Sequence, residues 1–212
     1  MPARPFLSLL KSHPLLIKVS KRLATPRWEL IKPLLRSQKI LDVGLGMGTF
    51  AKCMVDDGFK VVGIDVDNTS LYKEITPILY DGKRIPFKDN SFSESTIICV
   101  LHHCPNQIQV LQEVMRVSSR AIIIEDTYRN EFEHVLIAIR DSIENWEFYK
   151  HKYRSYIEWK SVCNKNGWKV SHVKSWSSWD FGLLYGHQTC FTVERWVVIP
   201  VLTYPYAHNH CW

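Results

Sequence analysis

The sequence lacks the marks of a membrane-spanning or disulfide-rich protein. No apolar run among its 212 residues reaches the roughly 18 residues that a helix needs to cross a bilayer. The six cysteines include no Cys-x-x-Cys pair, and Cys53, Cys99 and Cys190 stand among apolar residues, as small buried thiols do. This pattern predicts reduced thiols and an intracellular, cytoplasmic protein.

Acidic residues are absent from the first 28 positions, and this absence accounts for the net charge of the whole chain. The net charge is +6, and residues 1–28 carry six basic side chains, namely Arg4, Lys11, Lys18, Lys21, Arg22 and Arg27. The remainder of the chain is therefore neutral. A neutral body argues against a protein that tracks phosphates along a nucleic acid.

Residues 5–24 form an apolar and basic segment ahead of the body of the chain. Such a composition occurs in a helix packed on the body, in a lid, in a membrane-surface helix and in an organelle transit peptide. Pro14 interrupts the helical pattern, which favours the packed helix or the lid. Downstream, Thr25 is predicted to be the N-cap and Pro26 the first residue of a separate helix.

From residue 39 onward, short apolar strands alternate with helices. Five strands are predicted, in KILDVG, KVVGID, PILY, ESTIICVL and RAIIIED, with helices in GTFAKCMVDDG and NQIQVLQEVMRV. Apolar strands separated by helices are typical of a parallel sheet that is covered on both faces. Two more helices are predicted in residues 131–149 and SYIEWKSVCNKNG, and a closing antiparallel pair in WKVSHVKSW and QTCFTVERWVVI.

The loop between the first strand and the first helix has glycine at every second position. In ILDVGLGMGTF these are Gly44, Gly46 and Gly48. A bare backbone at a helix N-terminus lets a ligand lie directly against the chain. The dinucleotide-binding pattern GxGxxG would require glycine where Thr49 stands, so the spacing disfavours a nicotinamide oxidoreductase.

Two aspartates next to this loop narrow the choice of ligand. Asp42 precedes the glycines, where a carboxylate disfavours an anionic pyrophosphate and suits a cation. Asp65 ends the second strand, where an acid can accept hydrogen bonds from both hydroxyls of a ribose. The predicted ligand carries a ribose and a positive charge but no phosphate, which is the composition of S-adenosylmethionine.

Four stretches in a fixed order carry a family resemblance: ILDVGLGMGTF, VVGIDVD, YDGKRIPFKDNSFSESTIICVLHHC and VLQEVMRVSSRAIIIED. In this order and spacing they resemble the class I S-adenosylmethionine-dependent methyltransferases, most closely the small-molecule, type 11 branch related to ubiquinone and menaquinone methyltransferases. The resemblance covers residues 38–126 well and the rest only by topology. It implies a three-layer, Rossmann-like α/β fold with a seven-stranded, mostly parallel sheet whose last strand is reversed.

The resemblance also implies which residues bind the cofactor. Asp42 and the glycine loop would hold the methionine end, while Asp65 would bind the ribose hydroxyls and Val66 would pack on the adenine. The carboxylate of Asp81 would accept the adenine amino group, and the main-chain carbonyl of Cys99 would accept the ammonium. Turn and cap positions, which aspartate also favours, are the alternative for these acids. The implied set is Asp42, Gly44, Leu45, Gly46, Gly48, Asp65, Val66, Asp81, Gly82 and Cys99.

The predicted catalytic residues are His102, His103 and Asp126. The two histidines follow the fourth strand at the carboxyl edge of the sheet, where a histidine could deprotonate an acceptor hydroxyl; loop histidines that bond the main chain are the alternative. Asp126 ends the fifth strand at the same edge and is predicted either to contact substrate or to cap the next helix. The run from Cys99 to Cys104 lacks the spacing of zinc ligands, so no metal is predicted.

The insert between the fifth strand and the closing pair, residues 127–160, is rich in aromatic residues. In this fold it would overhang the acceptor pocket, where aromatic rings suit an apolar or planar small molecule and exclude water; core packing is the alternative. No Asn/Asp-Pro-Pro-aromatic motif follows the fourth strand, which argues against nucleic-acid acceptors. Tyr156 and Lys160 have the YxxxK spacing of short-chain dehydrogenases, but the glycine loop lacks the GxxxGxG pattern of that class.

The sequence as a whole predicts a single domain, residues 1–212, with S-adenosylmethionine as cofactor. Its parts are a basic helical extension at 1–37, a cofactor-binding core at 38–126, an acceptor-side insert at 127–160, closing strands at 161–199 and a tail at 200–212. The predicted function is in-line methyl transfer to a small-molecule acceptor. Two alternatives stay open: a non-catalytic cofactor-binding partner subunit, and a lipid or quinone methyltransferase that docks on membranes through residues 1–28.

Overall fold

A seven-stranded sheet runs through the computed structural model, which describes residues 14–145, 151–180 and 184–195. The strand order is β3-β2-β1-β4-β5-β7-β6, and β7 runs antiparallel to both of its neighbours while the other pairs are parallel. The predicted α/β fold with a mostly parallel sheet and a reversed last strand is therefore confirmed. The strands are β1 Lys39–Val43, β2 Lys60–Asp65, β3 Ile78–Leu79, β4 Phe92–Ile98, β5 Ser118–Asp126, β6 Trp168–Asp180 and β7 Leu184–Arg195.

Helices cover both faces of the sheet. On one face α3 and α5 pack over a core that includes Leu111, Trp159 and Phe191, and on the other α1 and α2 pack over a core that includes Trp28 and Met54. Burial on both faces explains why the parallel strands are apolar throughout. The helices are α1 Pro14–Ile31, α2 Thr49–Asp56, α3 Gln107–Val117, α4 Glu131–Asn145 and α5 Tyr156–Lys165, with 3-10 turns at Lys32–Leu34 and Leu101–His103.

The N-terminal helix corrects one expectation. Thr25 does not cap a second helix: its hydroxyl donates to the carbonyl of Lys21, 2.8 Å away, and Pro26 lies inside the continuous helix α1. The predicted boundary is wrong because the residues beyond Pro26 bury their side chains: Trp28 is 3% exposed and Ile31 is fully buried against α2 and the sheet. Tertiary packing of this kind outweighs the helix-breaking tendency of proline.

The order of the three central strands determines where a ligand can bind. β1 lies between β2 and β4, and Val43 is aligned with Ile64 on one side and Ile97 on the other. The chain segments that follow these three strands therefore meet at one edge of the sheet, where the strand order reverses direction. Open parallel sheets bind ligands at such a switch point.

No helix in the described part of the chain is both long and apolar enough to span a bilayer.

Candidate functional site

The glycine loop leaves β1 with a backbone that only glycine adopts easily. Gly44, Gly46 and Gly48 have φ angles of 76°, 54° and 71°. A Cβ at Gly44 would lie 2.4 Å from Val100 Cγ2, and one at Gly48 would lie 2.6 Å from the hydroxyl of Ser70. A Cβ at Gly46 would meet only a carbonyl oxygen at 3.9 Å. Gly44 and Gly48 are therefore required by packing, whereas Gly46 presents bare backbone to open space.

Asp65 closes one side of this loop. One carboxylate oxygen accepts the N–H of Gly46 at 2.7 Å, and the other accepts the N–H of Val66 at 2.7 Å. The side chain of Val66 is 44% exposed, and a Cβ at Gly82 would stand only 3.1 Å from it. Asp65, Val66 and Gly82 thus lie together, next to the bare backbone of Gly46.

Asp81 lies one residue before Gly82 and holds its own turn. Its Oδ1 atom accepts the N–H groups of Lys83 and Arg84 at 2.9 and 3.0 Å. These two main-chain hydrogen bonds lower the pKa of the carboxyl group. Asp81 therefore has the turn role that was the alternative in the sequence, and its exposed position leaves room for a ligand contact as well.

Asp42 is a buried carboxylate beneath the loop. It is 3% exposed, and the hydroxyl of Thr96 donates to its Oδ1 at 2.7 Å. Burial raises the pKa of Asp42 to about 7, since the opposing effect of the Thr96 hydrogen bond is smaller and the nearby charge of Asp65 raises the pKa further. Because the carboxylates of Asp42 and Asp65 repel each other, they favour binding of a cation next to the bare backbone of the loop.

Cys99 follows β4 with a φ of 55°, in the left-handed region that a non-glycine residue rarely adopts. Its N–H donates to the carbonyl of Ile124 at 2.7 Å, and Gln188 Nε2 donates to its Sγ at 3.3 Å. Burial raises the pKa of the thiol far above its ordinary value, so the thiol is not a nucleophile at neutral pH. Strain of this kind at a strand end is typical of functional sites.

His102 is buried in a charged network. Its Nδ1 lies 2.7 Å from Glu125 Oε2, and its ring stacks on Tyr153 with centroids 5.4 Å apart. Burial acts to lower the pKa of His102, but the carboxylates of Glu125 and Asp141 outweigh it and raise the pKa to about 10. The imidazole is thus protonated at neutral pH, which disfavours the predicted use of His102 as a general base.

His103 lies beside His102 and is partly exposed. Its Nδ1 is 3.4 Å from Nε2 of His151, and its Nε2 is 3.9 Å from Asp141 Oδ1. His151 contacts the other oxygen of Asp141 through Nδ1, and the hydroxyl of Tyr153 donates to that same oxygen at 2.7 Å. The 3-10 turn after β4, helix α4 and the segment before α5 therefore bring three imidazoles around one carboxylate.

Asp126 lies at the end of β5 in a second network. Arg140 donates to one of its oxygens at 2.6 Å and Gln188 to the other at 2.9 Å. Burial would raise the pKa of Asp126, but Arg140, the charge of His102 and Gln188 lower it below its usual value. The carboxylate does not cap α4; Asn130 does so by accepting the N–H of Glu133 at 3.0 Å.

The structure brings the predicted site residues together at one edge. Val100 packs against Gly44 and leads directly into the turn that carries the two histidines, so the glycine loop and the histidine turn are neighbours. Arg27 of α1 reaches the same edge, because its Nε donates to Gln188 Oε1 at 2.8 Å. Sequence reasoning missed the roles of Asp141 and His151 in this cluster, since neither stands near the histidines along the chain.

The aromatic residues of the insert differ in position: some lie in the core and others lie at the surface or beside the histidines. Trp159 is 1% exposed in the sheet core, whereas Phe132 is 72% exposed and Tyr153 lies against the histidines. Three rings of the expected cover, Trp146, Phe148 and Tyr149, lie outside the described residues. The core alternative therefore holds for Trp159, and the insert as an acceptor cover stays a prediction.

One surface groove in the described part of the chain does not coincide with this edge. It has a volume of about 670 Å³ and is lined by Leu79, Tyr80, Asp81, Arg84, Ile85, Pro86, Phe87, Lys88, Asp89 and Arg116. Asp81 is the one predicted cofactor residue in that lining. The chemistry of the glycine loop and the histidine turn, rather than this open groove, therefore defines the candidate site.

Comparison with known proteins places a methyltransferase domain over the same region. Residues 41–121 match the family model described as a methyltransferase domain. A demethylmenaquinone methyltransferase of Paenarthrobacter aurescens (strain TC1) is 34% identical over 97 residues, which are 42% of this chain and 38% of that protein. The match thus spans well under half the length of this relative.

Solved structures of methyltransferases share the fold. A SAM-dependent methyltransferase of Thermotoga maritima, described as a possible histamine N-methyltransferase, has a TM-score of 0.65 at 16% identity and covers 84% of this chain and 92% of its own. Magnesium protoporphyrin IX methyltransferase of Synechocystis PCC 6803, solved with bound SAH, has a TM-score of 0.58 at 12% identity and covers 84% of each chain.

The strand order, the glycine loop and these likenesses define the class of the protein, which has the class I, Rossmann-like methyltransferase fold. The match to the methyltransferase domain, residues 41–121, includes both the glycine loop and the turn that carries the two histidines.

Proposed function

We propose that the protein transfers a methyl group from S-adenosylmethionine to a small-molecule acceptor by in-line displacement. The observation that carries this proposal is the pairing of bare Gly46 backbone with two carboxylates, Asp42 and Asp65. These groups accept hydrogen bonds and attract cations, so they suit a ribose, an ammonium and a sulfonium better than a pyrophosphate. The residues present therefore fit this cofactor.

The proposed contacts follow the shape of the loop. Asp42, Gly44, Leu45, Gly46 and Gly48 would hold the methionine end, with the carbonyl of Cys99. Asp65 would accept hydrogen bonds from the ribose hydroxyls in place of some that it now accepts from main-chain N–H groups. Val66 and Gly82 would flank the adenine, with Asp81 at its edge.

The bound cofactor supplies an activated methyl group on a sulfonium. The chain would contribute position and exclusion of water, which account for much of the barrier reduction in an aligned displacement. Of the three predicted catalytic residues, His103 is the one with a partly exposed ring and is the better candidate to meet an acceptor. Asp126 would act through Arg140 and Gln188 as a positioning residue, since both of its oxygens are already bonded.

The nature of the acceptor is part of the proposal. The relative named demethylmenaquinone methyltransferase favours a quinone-like acceptor, in agreement with the lipid or quinone alternative from the sequence. That alternative includes peripheral membrane contact through residues 1–28, of which residues 1–13 lie outside the described part of the chain. A non-catalytic cofactor-binding subunit is the other alternative, and measured turnover separates it from an enzyme.

Calorimetric titration of the purified protein with S-adenosylmethionine tests the proposal, with NADH as a comparison. We expect micromolar binding of the first compound alone. Asp65→Ala should weaken it about tenfold or more, because one charge-assisted hydrogen bond contributes roughly 1.5–3 kcal/mol. The matched control is Asp67→Ala, an exposed aspartate whose Oδ1 accepts only the N–H of Asn68 among its described hydrogen bonds.

Two results would contradict this proposal. The wild-type protein could bind NADH and not S-adenosylmethionine, or folded Asp65→Ala could bind as tightly as the wild type. The first result would remove the methyltransferase function, and the second would remove Asp65 from the site.

A further inference from the structure

Beside the proposed cofactor site, histidine and aspartate side chains from distant parts of the chain converge on one point. We propose that His102, His103 and Asp141 bind a divalent transition-metal ion, with His151 adjacent as a fourth group. The candidate ligand atoms of the first three residues all lie within 4.8 Å of one another. Two belong to the turn after β4 and one to α4, so the fold and not the local sequence assembles the group.

The distances within the group match a shared ion better than direct hydrogen bonds. Nε2 of His102 is 3.8 Å and Nε2 of His103 is 3.9 Å from the same oxygen, Oδ1 of Asp141. Both separations exceed the range of a hydrogen bond. Tetrahedral zinc with nitrogen and oxygen ligands at about 2.0–2.1 Å keeps its ligands roughly 3.4 Å apart. The separations within the group reach at most 4.8 Å, so the three side chains would close by about an ångström to bind one ion.

The surroundings of the group hold the ligands as a metal site requires. Nδ1 of His102 faces Glu125 at 2.7 Å, and Glu125 is itself fixed by the N–H groups of Val100 and Leu101 at 2.9 and 2.7 Å. A carboxylate on one ring nitrogen fixes the tautomer in which the other nitrogen binds metal. The ion would displace the Nε2 proton that His102 holds at neutral pH without metal, so binding would release a proton. Asp141 has its own support, because the hydroxyl of Tyr153 donates to its second oxygen.

His151 adds a third imidazole to the group. Its Nε2 is 3.4 Å from Nδ1 of His103, the ring nitrogen opposite the Nε2 atom assigned to the ion, and the residue is 7% exposed, so His151 stands beside the three ligands. Imidazole nitrogens with one or two carboxylate oxygens favour Zn²⁺ and neighbouring first-row ions over Mg²⁺ and Ca²⁺, which prefer oxygen ligands alone. The buried carboxylates of Glu125 and Asp141 add negative charge that a divalent cation would balance.

The position of the group suggests what the ion would do, and this step rests on the proposed function. His103 is the partly exposed ligand, and Val100, one residue before the turn, packs on Gly44. An ion here would bind the acceptor through an oxygen or sulfur atom and lower its pKa, so that the acceptor loses its proton to solvent before methylation. His103 cannot be a metal ligand and a free base at once, so this inference replaces the base assignment from the sequence. It also departs from the prediction of no metal, which depended on the spacing of candidate ligands along the chain.

The test is calorimetric titration of the chelator-treated, full-length protein with Zn²⁺ in the absence of any cofactor. We expect one ion per chain, and His103→Ala and Asp141→Asn should each weaken binding by at least about 100-fold, since even supporting residues contribute about 10–100-fold. The matched control is His172→Ala, an exposed histidine on β6 whose Nε2 lies 2.9 Å from Oγ of Ser175. Co²⁺ in place of Zn²⁺ gives a second readout, because intense visible absorption reports tetrahedral coordination.

Competing sites and folding defects have their own controls. The tail carries His208, His210 and Cys211, so a His208→Ala/His210→Ala variant shows whether Zn²⁺ binds there. Because Asp141 is buried, circular dichroism must show that Asp141→Asn is folded; His103→Ala, at a partly exposed position, keeps the test decisive if it is not.

The proposal is overturned if the wild type binds no stoichiometric Zn²⁺, or if folded His103→Ala binds it as tightly as the wild type. Loss of binding in the tail variant alone would overturn it as well. Because no cofactor is present, none of these outcomes bears on Asp65 or on binding of S-adenosylmethionine, and failure of the proposed function would leave the Zn²⁺ titration unaffected.

Discussion

At the scale of single residues, Asp42 lowers the stability of the folded protein when its buried carboxyl group ionises. Its carboxylate is buried under the glycine loop with one hydroxyl as partner, and burial raises its pKa to about 7. Near neutral pH the protein therefore bears part of the free energy of ionising a buried acid. Residues that weaken the fold in this way are typical of binding sites, where a ligand of opposite charge offsets the cost.

Asp42→Asn should make the unfolding free energy less sensitive to pH. The folded pKa lies above the unfolded value near 3.8, so this group stabilises the fold at low pH, and the contribution is lost as pH rises toward and through 7. Relative to the wild type, the variant should gain about 2 kcal/mol or more between pH 5 and pH 8.

Urea denaturation of both proteins at several pH values measures this difference. The exposed Asp67→Asn serves as the control and should follow the wild type. A constant offset between wild type and Asp42→Asn across the pH range would contradict the raised pKa. The variant should also bind S-adenosylmethionine more weakly at pH 8, where the wild-type carboxylate is charged.

Individual residues differ in how far sequence could predict their place. Asp42, Asp65 and the glycines lie within two short strand–loop units, so local spacing is enough to place them near one another. Asp141 and His151 reach the histidine turn only because α4 and the segment before α5 lie at the carboxyl edge. No short-range pattern encodes such a contact, and for that reason the metal-binding group could not be predicted from residues 99–104.

At the scale of elements, the loop between β1 and α2 contains glycines that packing requires and one glycine whose backbone is open to a ligand. Gly44 and Gly48 have positive φ angles and no room for a Cβ, whereas Gly46 has a positive φ angle and open space beside it. Gly58, just after α2, also has a positive φ angle, 88°, and open space beside it, but it precedes β2 and so lies at the opposite edge of the sheet from the glycine loop. The two open glycines therefore form a matched pair.

Gly46→Ala and Gly58→Ala should destabilise the protein by similar amounts, about 1–2 kcal/mol each, because each forces an L-residue into the left-handed region. Only Gly46→Ala should weaken binding of S-adenosylmethionine, by at least about tenfold or 1.4 kcal/mol, since its methyl group would stand where the ligand approaches the backbone. Thermal melting and calorimetry measure the two effects separately. Equal loss of affinity in both variants would show that backbone strain, and not ligand contact, is responsible.

Helix α1 shows why element boundaries were harder to predict than element types. Local rules place a helix start at Thr25 and Pro26, and those rules hold where no packing opposes them. In the folded chain Trp28 packs edge-on against Phe50 and Phe59, with ring centroids 5.9 and 5.6 Å away. These contacts hold the segment after Pro26 in line with the segment before it, a constraint that the sequence around the proline does not contain.

At the scale of the whole molecule, the sheet was the most predictable feature. Apolar strands separated by helices imply parallel strands with both faces covered, and the two alternating strands at the end imply an antiparallel pair. The path of the chain over the carboxyl edge was less predictable, because it depends on contacts between α1, α4 and β7. Arg27, Gln188, Asp126 and Arg140 form such a chain of contacts across all three elements and the end of β5.

A single domain should unfold in one cooperative transition that includes both α1 and the sheet. Substitutions in α1 can test this prediction. Trp28 is 3% exposed, and its indole N–H donates to Asp57 Oδ2 at 2.6 Å. If α1 folds together with the sheet, Trp28→Ala should lower the unfolding free energy of the entire protein by about 3–5 kcal/mol. The control is Leu23→Ala, at an exposed position of the same helix, which should change the unfolding free energy by less than about 0.5 kcal/mol. Circular dichroism and the loss of S-adenosylmethionine binding should then report one coincident transition in each protein. A Trp28→Ala variant whose sheet unfolds at the wild-type midpoint would instead show that residues 1–37 form a separate appendage.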